Sequence, residues 1–525
     1  MDNRPSEYKR SCKNLIEMNI KFLLQTLLIS IAAFSISSCR KTYLPSTSID
    51  ENSALTNAGD IETATIGTYA LFKDPGYVRS GHFLVEYPSD EVAQGQNSSD
   101  DLTRAYRYTQ LTTSAHPAAF WTQAYKAASA ANRIIAVIDD NATANMLQLK
   151  GENLFIRAMM HFNLVRIFGR PYLQGNGNNP GVPILKEGLS DEEKSTLSRS
   201  SVKEVYDFVI ADLLKAADLM TIRKSNSFAS KEVALALLAR VYLYKEDNAK
   251  AIEFANKVIG NSIAGTAASG RYSLVTGSSY QNYFRAAPDG NAETIFAIRH
   301  IKTEDRAFSA IGSMYFSGDA SGNPQNQAFS GWAEIYASKK YVDFLGLNPT
   351  DLRNSFITPF KVNGVLQSNT KLTPNTPMYY INKYNLQEGL VNLSSPVYLR
   401  LAEMFLIRAE ANAKSGNNQL ALDDVNLLRK RAGLSGNELI TLASLAAGGK
   451  TVLDAVLEER WLELAFEGHR AYDLFRNNRP MIRNYPGSHV VNGNINQTID
   501  PSDNRIVFFI PQDEINKNPK LIQNP

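Results

Sequence analysis

Cysteine is nearly missing from this chain: Cys12 and Cys39 are the only two in 525 residues. No disulfide framework is available, so stability has to come from a hydrophobic core. Histidine is scarce too, with six widely separated residues and no His/Cys spacing of the kind that holds a metal. His161 sits among apolar helix neighbours and His469 beside Gly468, which points to packing or hydrogen bonding. The HExxH, GxSxG and P-loop patterns are absent. GNGNNPG (Gly175 to Gly181) lacks the strand before it and the helix after it that a dinucleotide site needs, so it reads as a connector. Charge of one sign is lacking as well: the formal net charge is +3, with no basic stripe for nucleic acid. The chain offers no cofactor site and no metal site.

Long apolar runs are also few. The run from Phe22 to Ile36 is interrupted by Gln25 and Thr26, follows Lys21 and ends in Ser37-Ser38-Cys39. It falls short of the roughly 20 apolar residues of a spanning helix and reads as a lipoprotein signal peptide. The expectation is that residues 1–38 are removed and that Cys39 carries the lipid, the alternative being a buried or disulfide-bonded Cys39. Serine at both preceding positions departs from the commonest acylation motif. The polar stretch before Met18 marks Met18 as the expected translation start.

What is present is helical periodicity. Trp121, Ala124, Tyr125, Ala128, Ile135 and Ile138 form one stripe; Leu154, Phe155, Ala158, Phe162 and Val165 form the next. Ser201/Glu204 and Thr451/Asp454 have capping-box spacing, and Gly416 and Gly433 stand where helices should end. Segments 231–259 and 398–430 share a plan of a long apolar helix, a short polar turn and a second helix, which resembles tetratricopeptide helix pairs. The predicted fold is mostly α, with helix pairs over about 118–260 and 396–476 forming a scaffold. Residues 77–118 and about 265–395 read as long irregular regions, and Ile506 to Ile510 as a short strand.

The wording of the helices carries a further signal. RLAEMFLIRAEA, VNLLRKRAGL, EERWLELAFEGHRAYDLFR and the terminal IPQDEINKNPKLIQNP resemble, in order, the signature blocks of the SusD/RagB outer-membrane nutrient-binding lipoproteins. FWTQAYKAASAANRII, GENLFIRAMMHFNLVRIFGRPYL and SVKEVYDFVIADL are similar to that family's N-terminal helices. The resemblance implies a single binding domain over 39–525, lipid-anchored in the outer membrane and exposed on the cell surface. It also implies capture of oligosaccharide without catalysis and delivery to a SusC-like TonB-dependent transporter. Peptide capture, a surface glycoside hydrolase and a scaffold that binds only protein are the alternatives.

Sugars present flat C–H faces ringed by hydroxyls, so a site wants an exposed aromatic plane with polar groups beside it. By resemblance the ligand loop reads SDEVAQGQNSSDD, from Ser89 to Asp101, and contains no tryptophan. The candidates are Asn97, Gln96 and Trp332, with Tyr106, Tyr108 and Tyr315 behind them. Asn97 in a turn and Trp332 in a core are the competing readings. Asp90-Glu91 and Asp100-Asp101 read as solvated turns rather than a catalytic pair, and Glu458, Glu459 and Glu467 as charges on a solvated helix face.

Overall fold

The computed structural model describes Leu55 and residues 57–98, 101–260, 263–266, 270–319, 321–323 and 330–525. Cys39 and the signal segment lie outside the described residues, as does Asp100. The described helices and strands belong to one unit, Asn57–Pro525, and the fold is mostly α-helical.

Helices α1 (Ala58–Leu71) and α2 (Pro75–Glu86) lead into the long α3 (Ala115–Val137) and α4 (Ala144–Phe168). The stripe predicted for α3 is buried at Trp121, Ala124, Ala128 and Ile135. α4 is apolar on more than one side because α1, α3 and the next helix all pack on it. Each Leu, Ile, Phe or Met it buries contributes about 1.5–3 kcal/mol. α5 (Val202–Leu219) opens with the predicted Ser201/Glu204 capping box, both hydrogen bonds being made. α6 (Lys231–Tyr244) and α7 (Asn248–Ile259) form a hairpin whose turn holds Glu246 at φ 64°. Its counterpart is α8 (Leu401–Lys414) with α9 (Asn418–Arg431), where Gly416 at φ 81° takes the same left-handed position. α10 (Val452–Glu463) carries the Thr451/Asp454 capping box, and α11 (Arg470–Arg476) follows.

Neighbours pack in chain order from α3 through α9, and α10 lies across α8 and α9. Helix pairs therefore stack into a continuous layer. α2 packs on α3 and α11 at one side of it. No helix among the described residues is long and apolar enough to cross a membrane.

Strands are short and paired in twos. β1 (Val92–Gln94) runs antiparallel to β3 (Ile335–Ala337), with Val92 opposite Ala337 and Gln94 opposite Ile335. β2 (Thr294–Ala297) pairs with β4 (Val397–Arg400), which leads directly into α8.

Two expectations need correction. Residues 77–118 are not irregular: α2 and a short helix at Leu102–Arg107 lie within them. Asp74 caps α2 by accepting from the Gly76 amide, and Pro75 occupies the first turn, where its missing N–H costs nothing. Ile506–Ile510 is not a strand either. A single 3-10 turn ends at Ile506, and the chain beyond is held by the Ile167 carbonyl and by the Gln523 and Asn524 side chains.

Candidate functional site

The β1–β3 ladder brings the loop that holds Gln96 and Asn97 beside the segment that holds Trp332, although of that loop only Ser98 reaches the cavity at their junction. It continues past β1 through the Gly95 amide, which donates to the Glu334 carbonyl at 2.9 Å. The Gln96-Asn97-Ser98 segment thus runs alongside Trp332-Ala333-Glu334. Between them opens a cavity of about 200 Å³ lined by Arg79, Ser98, Phe308, Ser309, Met314, Trp332 and Glu334.

Trp332 is 41% exposed, so it is not a core residue. Phe308 meets it edge-on with ring centroids 5.4 Å apart, which makes an L-shaped aromatic corner. The backbone behind the indole is fixed. The amides of Ala333 and Glu334 donate to the carbonyls of Ser313 and Met314, and Ala333 sits at φ 43°, a left-handed conformation that costs a side chain strain. Gly331 has no room for a Cβ, which would lie 2.1 Å from the Phe316 carbonyl oxygen. Gly331→Ala is therefore expected to displace the Trp332 segment. Ligand affinity should fall severalfold with the helical circular-dichroism signal unchanged; wild-type affinity would show that the segment relaxes freely.

Arg79 enters the site from α2, whose other side buries Tyr77 and Leu84. Its guanidinium lies 3.4 Å from Met314 Sδ and over the Phe83 ring, so it is positioned rather than loose. Asn97 is exposed, and its Oδ1 accepts from Arg107 Nη2 at 3.0 Å. Gln96 beside it is half-buried. The corner thus combines an apolar plane with a cation, a carboxylate and two hydroxyls, the chemistry that recognises a polyhydroxylated ring. A larger groove of about 620 Å³ between α5, α6 and α7 lacks such a platform, because its aromatics Tyr242 and Phe254 are buried against each other.

Tyr106 and Tyr315 stand elsewhere. Both are fully buried: Tyr315 OH lies 2.7 Å from His82 Nε2 with its ring stacked on Tyr384, and Tyr106 OH lies 3.0 Å from His489 Nδ1 under Arg483. Neither ring offers a face to a ligand. Tyr108 is buried as well, its hydroxyl donating to the Pro88 carbonyl. Ser98 belongs to the Ser89–Asp101 loop, whereas nothing in the sequence marks Arg79 or Glu334. Phe308 belongs to the aromatic-rich middle region, which was the available signal for it.

The acidic residues also need correction. Asp90 and Glu91 are buried, not in a solvated turn. Asp90 pairs with Arg470 and Lys340, both at 2.7 Å. Burial pushes its carboxyl up, but Arg470 and Lys340 outweigh this and bring it down to about 2. Glu459 and Glu467 are not on a solvated face. Glu459 is enclosed between Arg353 and Arg429, and Glu467, its side chain 4% exposed, between Arg400 and Lys383; only Glu458 stays at the surface, with Lys450. No cluster of three potential metal ligands occurs among the described residues.

Residues 359–525 match the model of the SusD family, and residues 45–243 match a second model described as starch-binding, associating with outer membrane. The chain belongs to the SusD family. A SusD-like protein, P2, from Formosa agariphila is 28% identical over 79% of this chain and 83% of its own. A SusD superfamily protein from Bacteroides thetaiotaomicron superposes with a TM-score of 0.76 at 26% identity, covering 89% of this chain and 99% of its own. A structure described as a putative sugar binding protein from Bacteroides vulgatus gives 0.72 at 26% identity, over 90% and 99%.

Beside the site, this SusD-family chain holds two carboxyls against each other. Glu86 accepts from the Gly468 amide at 3.0 Å and Glu91 from the Phe466 amide at 2.9 Å, and the second oxygen of each is buried. Burial pushes both up, Glu86 to about 7, and the proximity of Glu86 raises Glu91 further. The folded state therefore keeps a proton that an unfolded carboxyl releases near its usual 4.5. Stability should fall as pH rises from about 4.5 to about 7, because there the native state binds more protons. Urea unfolding at both pH values should show a larger loss for wild type than for Glu86→Gln; equal losses would mean that the pair does not share a proton.

Proposed function

We propose that this protein captures oligosaccharide at the Trp332 corner and passes it, without turnover, to a SusC-like TonB-dependent transporter. It does so at the outer membrane, anchored through a lipid on Cys39 and facing outward. The observation that carries the reading is the exposed Trp332, supported by Phe308 and flanked by Arg79, Ser98, Ser309 and Glu334. A sugar ring can stack on the indole while its hydroxyls exchange water for those polar groups. The second family model's description, starch-binding and associating with outer membrane, supports both the ligand class and the location.

The decisive experiment is calorimetric binding of a glycan and peptide panel to the purified protein, with product analysis of each mixture. Saturable binding of a glycan that stays intact is expected. Peptide-only binding would move the chain to the peptide alternative, and glycan cleavage to the hydrolase. Cys39→Ala should leave the fold intact but move the protein from the membrane fraction to the soluble one, because the lipid contributes about 0.8 kcal/mol per buried CH₂ and the core contributes none. Undiminished membrane retention of that variant would remove the anchor. Purification of the detergent-solubilised protein through a tag is expected to recover the transporter as well; recovery of this chain alone would make it an independent binder.

A further inference from the structure

We propose that the cavity between α2, α4 and α11 is a binding site for a small inorganic or carboxylate anion, with Arg166, Tyr77 and His469 as its donors. The cavity measures about 110 Å³ and is lined by these three residues together with Asn163, Arg240, Tyr398 and Glu467, whose carboxylate is taken by Arg400 and Lys383. A water needs about 10–15 Å³ on this measure, so a polyatomic ion fits.

Most arginines buried in this protein are matched by carboxylates, as Arg240 is by Glu403, Arg157 by Asp212 and Arg476 by Glu410, while Arg483 is satisfied by the Tyr87, Ser89 and Tyr106 carbonyls. Arg166 is half-buried and has neither a carboxylate within ion-pair distance nor a backbone carbonyl partner among the described residues. Its contacts are the faces of Tyr472, Tyr244 and Phe162 at 4.1, 5.1 and 5.3 Å, and two hydrogen bonds of 3.3 Å to Asn163 and Tyr244. Both bonds are longer than the usual 2.7–3.2 Å, and its Nε–H is buried without an acceptor.

Around this cation the donors outnumber the acceptors. Asn163 Nδ2 donates to the Tyr77 hydroxyl at 2.8 Å, while Asn163 Oδ1 is taken by Tyr398 at 2.9 Å. The hydrogen of Tyr77 is left with no acceptor among the described groups. His469 is 6% exposed and its Nδ1 has no partner. Burial and then the guanidiniums of Arg240, Arg460, Arg166 and Arg400 hold its pKa well below the ordinary histidine value, as expected where the local potential is positive. The carboxylates nearby are already committed, Glu403 to Arg240 and Glu467 to Arg400 and Lys383. Water would satisfy some donors but would leave the Arg166 charge uncompensated. An anion satisfies both.

The site is independent of the Trp332 corner, although α2 contributes to both: Tyr77 faces the cavity and Arg79 the corner. The test uses the purified full chain in sodium bromide and in sodium gluconate at equal ionic strength, gluconate being the far bulkier anion. Bromide should raise Tm saturably, by about 2 °C at tenfold excess over its Kd, and give an anomalous diffraction peak against Arg166. Tyr77→Phe, which removes one donor and keeps the ring, should weaken the bromide effect severalfold. Arg166→Met should abolish it. Identical Tm in the two salts, with cavity density that refines only as water, would overturn the proposal, as would a bromide effect unchanged in both variants.

Discussion

Trp332→Ala is expected to weaken oligosaccharide binding about 30-fold, the loss of ~2 kcal/mol typical of removing an aromatic anchor. The unfolding midpoint should hardly move. A fully buried tryptophan costs about 3–5 kcal/mol on truncation, but this indole is 41% exposed and rests against Phe308. The folded backbone around it is set by the Ser313 and Met314 carbonyls and by Gly331, none of which depends on the indole. Calorimetric titration and urea unfolding of the same preparation separate the two quantities. Unchanged affinity with a large stability loss would make Trp332 a packing residue.

Much of the scaffold is legible in the sequence because its signals are local. The capping boxes at Ser201 and Thr451, the break at Gly416 and the stripe through Trp121 and Ile135 each depend on residues within a turn or two of one another. α2 escapes such reading because PGYVRSGHFLVE mixes two glycines and a proline with polar residues, and only its docking on α3 and α11 makes a helix of it. Arg79 was hidden with it. Aromatic residues in an irregular region look alike whether they become a platform or a core: Trp332 is turned outward by the backbone at Ala333, while Tyr315 and Tyr106 are drawn inward by His82 and His489. The acidic residues were the least legible. Glu459 reads as solvated until Arg353 arrives from 106 residues away, and Asp90 until Arg470 arrives from 380.

The largest stability effect is expected at Glu463. Its side chain is wholly buried at the end of α10, where Oε1 accepts from Arg400 and Arg431 and Oε2 from the Tyr280 hydroxyl at 2.9 Å, with Arg353 at 3.8 Å. These partners come from β4, from α9 and from two segments of the middle region, so one carboxylate joins the helix layer to the part of the chain that carries Trp332. Burial pushes this carboxyl up, but Arg431, Arg400 and Arg353 together overcome it and hold it well below the ordinary range. Its contribution is complete above the unfolded value near 4.5 and is lost as pH falls towards the depressed folded value. Glu463→Gln preserves the volume but leaves three buried guanidiniums to share Glu293, Asp351, Glu459 and Glu467, which Arg429 and Lys383 also draw on. Breaking a buried pair from one side costs about 3–5 kcal/mol, because the stranded charges cannot reach water. Urea unfolding at pH 7 should show a loss of that size. It should shrink in acid, where the wild-type carboxylate is itself being protonated. A loss below about 1 kcal/mol at pH 7 would mean that Glu293 and Glu467 neutralise the cluster alone, and Glu463 would then not be what joins the scaffold to the binding region.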